Sequence, residues 1–344
     1  MRKLLNTLYI TNPDATLGRD GENIVVRVNG QEVGRRPIHI LEQIVCFHYT
    51  GMNGALLKLC AQHHVTVSFL TPHGDFAGTF CGPTTGNVLL RREQYRIADC
   101  EERKLPVVQN FITAKIVNSY KILQRTLRDH GESVNRIILE SAIAKLQTSA
   151  KSVQASENID TLRGLEGESA KTYFAAFDEM IVQQKSDFYF HGRNRRPPRD
   201  DTNALLSFAY SLLATECQSA LEIVGLDPYV GLFHTDRPGR ASLALDLMEE
   251  LRAYRADRFV LSLINRKQIT AKDFLQQQEG QGVYLTDEGR KKVIEEWQKR
   301  KFDTIEHPFL QEKVEIGLLP YVQAMLMARF IRGDLDGYPP FFVK

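Results

Sequence analysis

Three stretches of the chain set acids and a histidine where chemistry could be done. The first is Gly164-Leu165-Glu166-Gly167-Glu168-Ser169-Ala170. Glycine in a helix interior costs roughly 1 kcal/mol relative to alanine. A helix with glycines on both sides of Glu166 accepts that cost twice, which close approach of another group to the backbone would explain. The plainer reading is a helix N-terminus whose acids favour the dipole. The second stretch, Gly225-Leu226-Asp227-Pro228-Tyr229-Val230-Gly231-Leu232-Phe233-His234, is a turn-rich approach to one histidine. Histidine is both a frequent metal ligand and a frequent acid or base, although a lone loop histidine is more often structural.

The third stretch is Leu243-Ala244-Leu245-Asp246-Leu247-Met248-Glu249-Glu250-Leu251-Arg252. Leu243, Leu247 and Leu251 recur four apart and mark a buried helix stripe. Asp246 and Glu249 are three apart and share a neighbouring face. Asp246 stands among apolar residues, where an unpaired charge is expensive to bury. It calls for a counter-charge such as Arg252 or Arg255, or for a bound cation; an ordinary intrahelical ion pair competes with that reading. A fourth feature, His191-Gly192-Arg193-Asn194-Arg195-Arg196-Pro197-Pro198-Arg199, has four arginines and no acid, and its prolines exclude a regular helix. Arginine forks match phosphate oxygens, and Arg237 and Arg240 add positive charge just after His234. The competing reading is a solvated loop. Two carboxylates and an imidazole that converged would make an O/N/O site suited to Mg2+ or Mn2+.

These residues need elements to position them. The first ninety or so residues read as strands. Asn23–Val28 is β-branched, Asn29-Gly30 is the dipeptide of a tight hairpin, and 32–36 is its return. Further strands are expected at 38–47, 65–70 and 76–80, with a short helix at 54–63 capped by Asn53 and a turn at 72–75. From about Val88 the apolar period becomes 3.6. Helices are expected over 107–130, 133–146, 159–180, 203–224, 243–264, 285–301 and 313–331, with a linker at 98–106. The fold class is therefore α+β: a β-rich domain over 1–97 and a larger all-α domain over 98–344.

Bulk properties narrow the setting. A chain of 344 residues suggests two domains. The 44 basic and 42 acidic residues give a net charge of +2, so any nucleic-acid footprint must be local. Five scattered cysteines without a C-x-x-C pair fit a reducing cytosol. No stretch reads as a signal peptide or a membrane span. The expectation is a soluble, cytoplasmic protein with no membrane partner.

The wording of three blocks is more specific than their spacing. GLEGESAKTYF, RRPPRDDTNALLSFAYSLL and GLDPYVGLFHTDRPGRASLALDLMEELR resemble, in order and spacing, the CRISPR-associated endonuclease and integrase family Cas1. NRKQITAKDF and GVYLTDEGRKKV add to the likeness, which covers essentially the whole chain. The length and wording resemble the subtype I-C branch. The resemblance implies metal ligation by Glu166, His234 and Glu249. Many members have aspartate at the last position, so the division of roles between Glu249 and Asp246 stays open, with Asp246 as an auxiliary acid.

What the resemblance implies about activity is insertion of short DNA fragments into a CRISPR repeat array. A fragment 3′-OH attacks a phosphodiester with Mg2+ or Mn2+ as cofactor. It also implies a homodimer formed through the β-rich domain, and a complex with the small partner Cas2. Arg193, Arg195, Arg196, Arg199, Arg237 and Arg240 are the candidate DNA contacts. Two other readings compete: a metal nuclease that cleaves branched DNA without integrating it, and a non-catalytic DNA-binding scaffold.

Overall fold

Hairpin chemistry organises the first part of the chain. The computed structural model describes residues 6–48, 50–71, 76–82, 88–276 and 282–343. Its strands are β1 (Asn6–Ile10), β2 (Ala15–Asp20), β3 (Asn23–Val28), β4 (Gln31–Pro37), β5 (Leu41–Cys46) and β6 (Gly51–Met52). Helix α1 (Gly54–Gln62) follows, then β7 (Thr66–Leu70) and β8 (Phe76–Phe80). Asn29 (φ 51°) and Gly30 (φ 79°) both take positive φ between β3 and β4, as the primed hairpin turn requires. Asn53 caps α1 by accepting from the Leu56 N–H at 2.9 Å. The expected turn at 72–75 lies outside the described residues.

Two four-stranded sheets result, in the orders β1-β5-β7-β8 and β4-β3-β2-β6. Their shared core includes Ile24, Ile44, Leu56 and Val67, each fully buried. The expected single strand over 38–47 is a 3-10 turn at Ile38–Ile40 followed by β5.

Beyond residue 87 the chain is mostly helical: α2 (Val88–Asp99), α3 (Glu101–His130), α4 (Arg136–Gln154), α5 (Ile159–Ala175), α6 (Asp201–Val224), α7 (Ser242–Arg252) and α8 (Arg258–Asn265). The architecture is α+β, N-terminal strands followed by a mostly helical region. Three expectations need correction. The linker placed at 98–106 is helical apart from the break at Cys100 between α2 and α3. The later part is not all helix: β9 (Phe274–Gln276) pairs with β10 (Val283–Leu285), and, after α9 (Asp287–Lys301), β11 (Thr304–Glu306) pairs with β12 (Lys313–Glu315). The helix expected over 313–331 therefore begins only at α10 (Leu319–Arg332), because Lys313–Glu315 is spent on the ribbon.

The chain divides into two compact units. One takes in the residues up to 86 together with 294–303 and 315–318; the other holds the rest. The first unit is thus discontinuous in sequence. Gln298 donates to the Thr7 carbonyl at 2.9 Å, and the Lys301 ammonium lies 3.1 Å from the Thr7 hydroxyl. Among the described residues, no helix is long and apolar enough to cross a membrane.

Candidate active site

The loop that delivers His234 is built from below. Gln94 on α2 donates to the carbonyls of Asp227 (2.8 Å) and Val230 (3.2 Å) and accepts the Asp227 N–H. The Pro228 carbonyl accepts from Leu243 at the start of α7. Gly231 is required by space: a Cβ there would meet the His234 carbonyl oxygen at 2.5 Å and Ser242 Cβ at 2.7 Å.

Asp246 clamps the end of this loop. Its carboxylate, fully buried, accepts the backbone N–H groups of Leu232 (2.7 Å), Phe233 (3.0 Å) and His234 (2.9 Å). It also receives His234 Nδ1 at 2.6 Å. The counter-charge expected from Arg252 or Arg255 is not there. Arg255 pairs with Glu216 and Arg252 with Glu249. Asp246 is stabilised by backbone dipoles and an imidazole, which suffices for a buried carboxylate.

Glu249, one turn further on, takes up the opposite side of the imidazole. Its Oε1 is 4.0 Å from His234 Nε2 and accepts from Arg252 at 2.7 Å. Its Oε2 lies 2.6 Å from the Lys115 ammonium on α3. Burial pushes the Glu249 carboxyl up, but Arg252, Lys115 and His234 outweigh it and hold the pKa at about 2. Lys115 also pairs with Glu166 on α5. The structure thus brings Glu166, Glu249, His234 and Asp246 into one cluster, knitted by Lys115 and Arg252.

Glu166 does not sit at a helix start. Asn158 caps α5, and the Gly-Leu-Glu-Gly run lies in the helix interior. Among the described residues, a Cβ at Gly164 or Gly167 would meet open space. The Glu166 side chain itself stays 23% exposed.

A π-helical turn, Ala253–Asp257, follows α7 directly. Single π turns inside helices recur at functional sites. This one brings Asp257 beneath the cluster, where it accepts from Tyr210 (2.6 Å) and Tyr173 (3.0 Å). Burial raises the Asp257 carboxyl to about 6 against the pull of these donors and of Arg252. Lys115, Ser169, Tyr173, Arg252 and Asp257 line a small cavity here.

The arginines divide. Arg193 is tied into the fold: it donates to Asn203 Oδ1 (2.8 Å) and Ser207 (3.0 Å) and lies 5.3 Å from the Tyr210 ring centroid. Arg252 lies 5.0 Å from the same centroid, so Tyr210 joins the arginine loop to the acid cluster. Arg195, Arg196 and Arg199 are exposed. Their loop is held by Asn194, which accepts the Arg199 N–H and donates to Asp200, the cap of α6. Arg237 is exposed and Arg240 half-buried on the turn after His234.

Sequence reasoning missed Lys115, Arg252 as the Glu249 partner, and the Asp257 network. Lys115 did leave a signal. It continues the stripe of Phe111 and Ser119 at four-residue spacing and is itself buried in that apolar setting.

The donor set suits a hard divalent ion: two carboxylates and an imidazole nitrogen, with no thiolate. Both carboxylates already converge on one cationic group. Among the described residues no three acidic, histidine or cysteine side chains stand ready to hold a metal as they are. The Lys115 ammonium takes the place between Glu166 and Glu249.

A family model described as CRISPR associated protein Cas1 matches residues 8–299. The CRISPR-associated endonuclease Cas1 2 of Rhodospirillum rubrum is 48% identical over 348 residues, covering 100% of both chains. A solved Cas1 protein from Thermotoga maritima superposes with a TM-score of 0.81 at 22% identity, over 97% of this chain and 99% of that one. A casposase solved bound to an integration product gives 0.82 at 22% identity, over 97% and 93%. At that identity the two structures establish the shared fold, and the sequence match settles the rest: the chain belongs to the Cas1 family of CRISPR-associated proteins.

Proposed function

We propose that this protein is a metal-dependent DNA endonuclease and integrase that inserts short foreign fragments into a CRISPR array. The observation that carries the reading is the convergence of Glu166, Glu249 and His234 in a chain 48% identical to a named Cas1 endonuclease. In the reaction a fragment 3′-OH gives up its proton as its oxygen bonds to a repeat phosphorus, the existing P–O3′ bond breaks, and the departing 3′-oxygen takes up a proton, so that one phosphodiester replaces another. Mg2+ or Mn2+, when bound, supplies Lewis acidity at the phosphate and charge stabilisation for the attacking and leaving oxygens.

Glu166, Glu249 and His234 Nε2 are the groups that would hold the ion. Asp246 accepts from Nδ1, which fixes the ring and leaves Nε2, on the side of Glu249, as the nitrogen that would face the ion. Asp246 is thereby an auxiliary acid that orients a ligand. Arg195, Arg196, Arg199, Arg237 and Arg240 would track the DNA backbone, with Arg193 bracing their loop. The partners are DNA, a second copy of the chain through the strand-rich unit, and Cas2. The length and the wording of the block from His191 to Arg255 favour the subtype I-C branch.

The deciding experiment combines the protein with Cas2, a short duplex with free 3′-OH ends, and a supercoiled plasmid carrying the cognate leader and repeat. Fragment insertion should require Mn2+ or Mg2+, stop with EDTA, and fail when Glu166, His234 or Glu249 is replaced while DNA still binds. Cleavage of branched DNA without insertion would reduce the reading to a nuclease. Metal-independent activity would overturn it. Alanine at Arg195, Arg196 and Arg199 should flatten the slope of log affinity against log salt by close to one unit for each phosphate no longer neutralised; an unchanged slope would place the DNA elsewhere.

A further inference from the structure

We propose that Lys115 is a built-in cation that holds Glu166 and Glu249 together in the metal-free protein and exchanges with the divalent ion when it binds. The inference rests on the metal reading above and goes beyond it by naming what the ion must displace.

The geometry is specific. The ammonium contacts Glu166 and lies 2.6 Å from Glu249 Oε2. The remaining oxygen of Glu249 is held by Arg252 at 2.7 Å, and that same oxygen faces His234 Nε2 at 4.0 Å. An ion reaching Glu166, Glu249 and His234 together must therefore take a carboxylate oxygen from Lys115, from Arg252, or from both. Lys115 is the partner able to leave. It is a point charge on a flexible four-carbon stem, whereas a guanidinium fork is fixed by its plane. Arg252 is moreover anchored against the Tyr210 ring. Lys115 is the only one of these two cations that bridges both carboxylates.

Charge balance points the same way. Glu166, Glu249 and Asp246 carry three negative charges against the two permanent positive charges of Lys115 and Arg252. Adding a divalent ion beside an ammonium that stays in place would crowd two like charges into one small space. Withdrawal of the ammonium removes that repulsion. Glu166, 23% exposed, is the more accessible of the two carboxylates, Glu249 being 3% exposed.

The test is binding of Mn2+ alone to the full-length protein, read by electron paramagnetic resonance of the free ion. Lys115→Met should bind Mn2+ at least about fivefold more tightly than wild type, which corresponds to about 1 kcal/mol. Lys115→Arg, which keeps the charge, should show no such gain. Unchanged or weaker binding by Lys115→Met would overturn the exchange, and a loss would mean that Lys115 only preorganises the carboxylates. Because a buried lysine replacement can unfold a protein, wild type supplies an independent readout. Acetylation of Lys115 by acetic anhydride, followed by peptide mass spectrometry, should rise as Mn2+ is titrated; labelling indifferent to Mn2+ would overturn the proposal. If neither wild type nor Lys115→Met binds Mn2+, the metal reading itself fails. If wild type binds and the variant gains nothing, only the exchange fails.

Discussion

Glu249 and Glu250 are adjacent in sequence and both buried, yet their carboxyl groups are driven in opposite directions. Glu249 is held at about 2 because Arg252, Lys115 and His234 overcome its burial. Glu250, on the other side of α7, is pushed by burial up to about 7. Its partners are neutral donors: Gln323 at 3.0 and 3.1 Å, the Tyr338 hydroxyl, and the Phe341 N–H at 2.7 Å. Burial is common to both, so burial does not decide the outcome; the charge of the neighbours does. One face of α7 is an ionic site. The other is an anchor for the C-terminal segment, where Asn118 also binds the Phe341 carbonyl and the Val343 N–H.

Replacing the low-pKa member should have the largest effect. Glu249→Gln keeps the shape and removes the charge that faces Lys115, Arg252 and His234. Changes to groups that merely orient metal ligands cost 10- to 100-fold. Loss of the proposed ligand should therefore lower the DNA reaction, assayed with Mn2+ and saturating DNA, by at least about a hundredfold. Glu250→Gln, on the opposite face, should retain most activity. Equal losses in both variants would erase the functional contrast between the two faces.

Asp246→Asn comes next. The carboxylate accepts three backbone N–H groups and His234 Nδ1. An amide must turn its NH2 towards one of these donors. Leaving a buried donor unsatisfied costs roughly 1–3 kcal/mol, and misorienting the imidazole should cost roughly 10- to 100-fold in activity. Thermal melts and metal-saturated rates check the two parts separately. Full activity with lowered stability would make Asp246 a loop clamp only.

How much of this was legible in sequence follows from range. The β3–β4 hairpin, the Asn53 cap and the Leu243, Leu247, Leu251 stripe depend on neighbours a few residues apart, and all three were readable. The short ribbon β11–β12 was not, because Lys313-Val314-Glu315 is too brief for its period to separate strand from helix. The acids and the histidine could be named individually. Lys115 could not be assigned a role, because it meets Glu166 across 51 residues of chain. The same holds for the partners of Asp246, where the expected arginines lost to backbone N–H groups that no side-chain pattern reveals. Arg193 looked like a surface phosphate contact because its run is all cationic, and the Asn203, Ser207 and Tyr210 partners that absorb it come from the next helix.

The two carboxyls should also leave opposite marks on stability against pH. Glu249 is depressed below its ordinary value of 4.5, so its contribution is present above that pH and lost as pH falls towards 2. Glu250 is raised, so the folded state holds its proton longer than the unfolded chain does. Its contribution is full below pH 4.5 and lost as pH rises through about 7. Across that window wild type should lose roughly 2–3 kcal/mol relative to Glu250→Gln. Urea unfolding at pH 5 and pH 8 gives the difference directly, and parallel pH profiles for the two proteins would show that Glu250 is not raised.

Tyr338→Phe should have the smallest effect and sharpens the cause. The hydroxyl donates to Glu250 and accepts from Gln323 at 2.8 Å, while the ring packs 5.2 Å, centroid to centroid, from Phe111. Phenylalanine keeps the ring and loses one donor. A donor to a carboxylate favours its ionised form, so its loss should move the Glu250 midpoint further above 7 and leave the aromatic contact intact. The net cost of one such hydrogen bond is about 1 kcal/mol. Because Gln323 still reaches Glu250 and the Pro339 carbonyl, no donor is orphaned and the cost should not exceed that. Mn2+ affinity should be unchanged, since the ionic face of α7 is untouched. An upward shift in the pH midpoint with constant metal affinity would show that the two faces titrate independently. A parallel change in metal affinity would show that they are coupled through the helix.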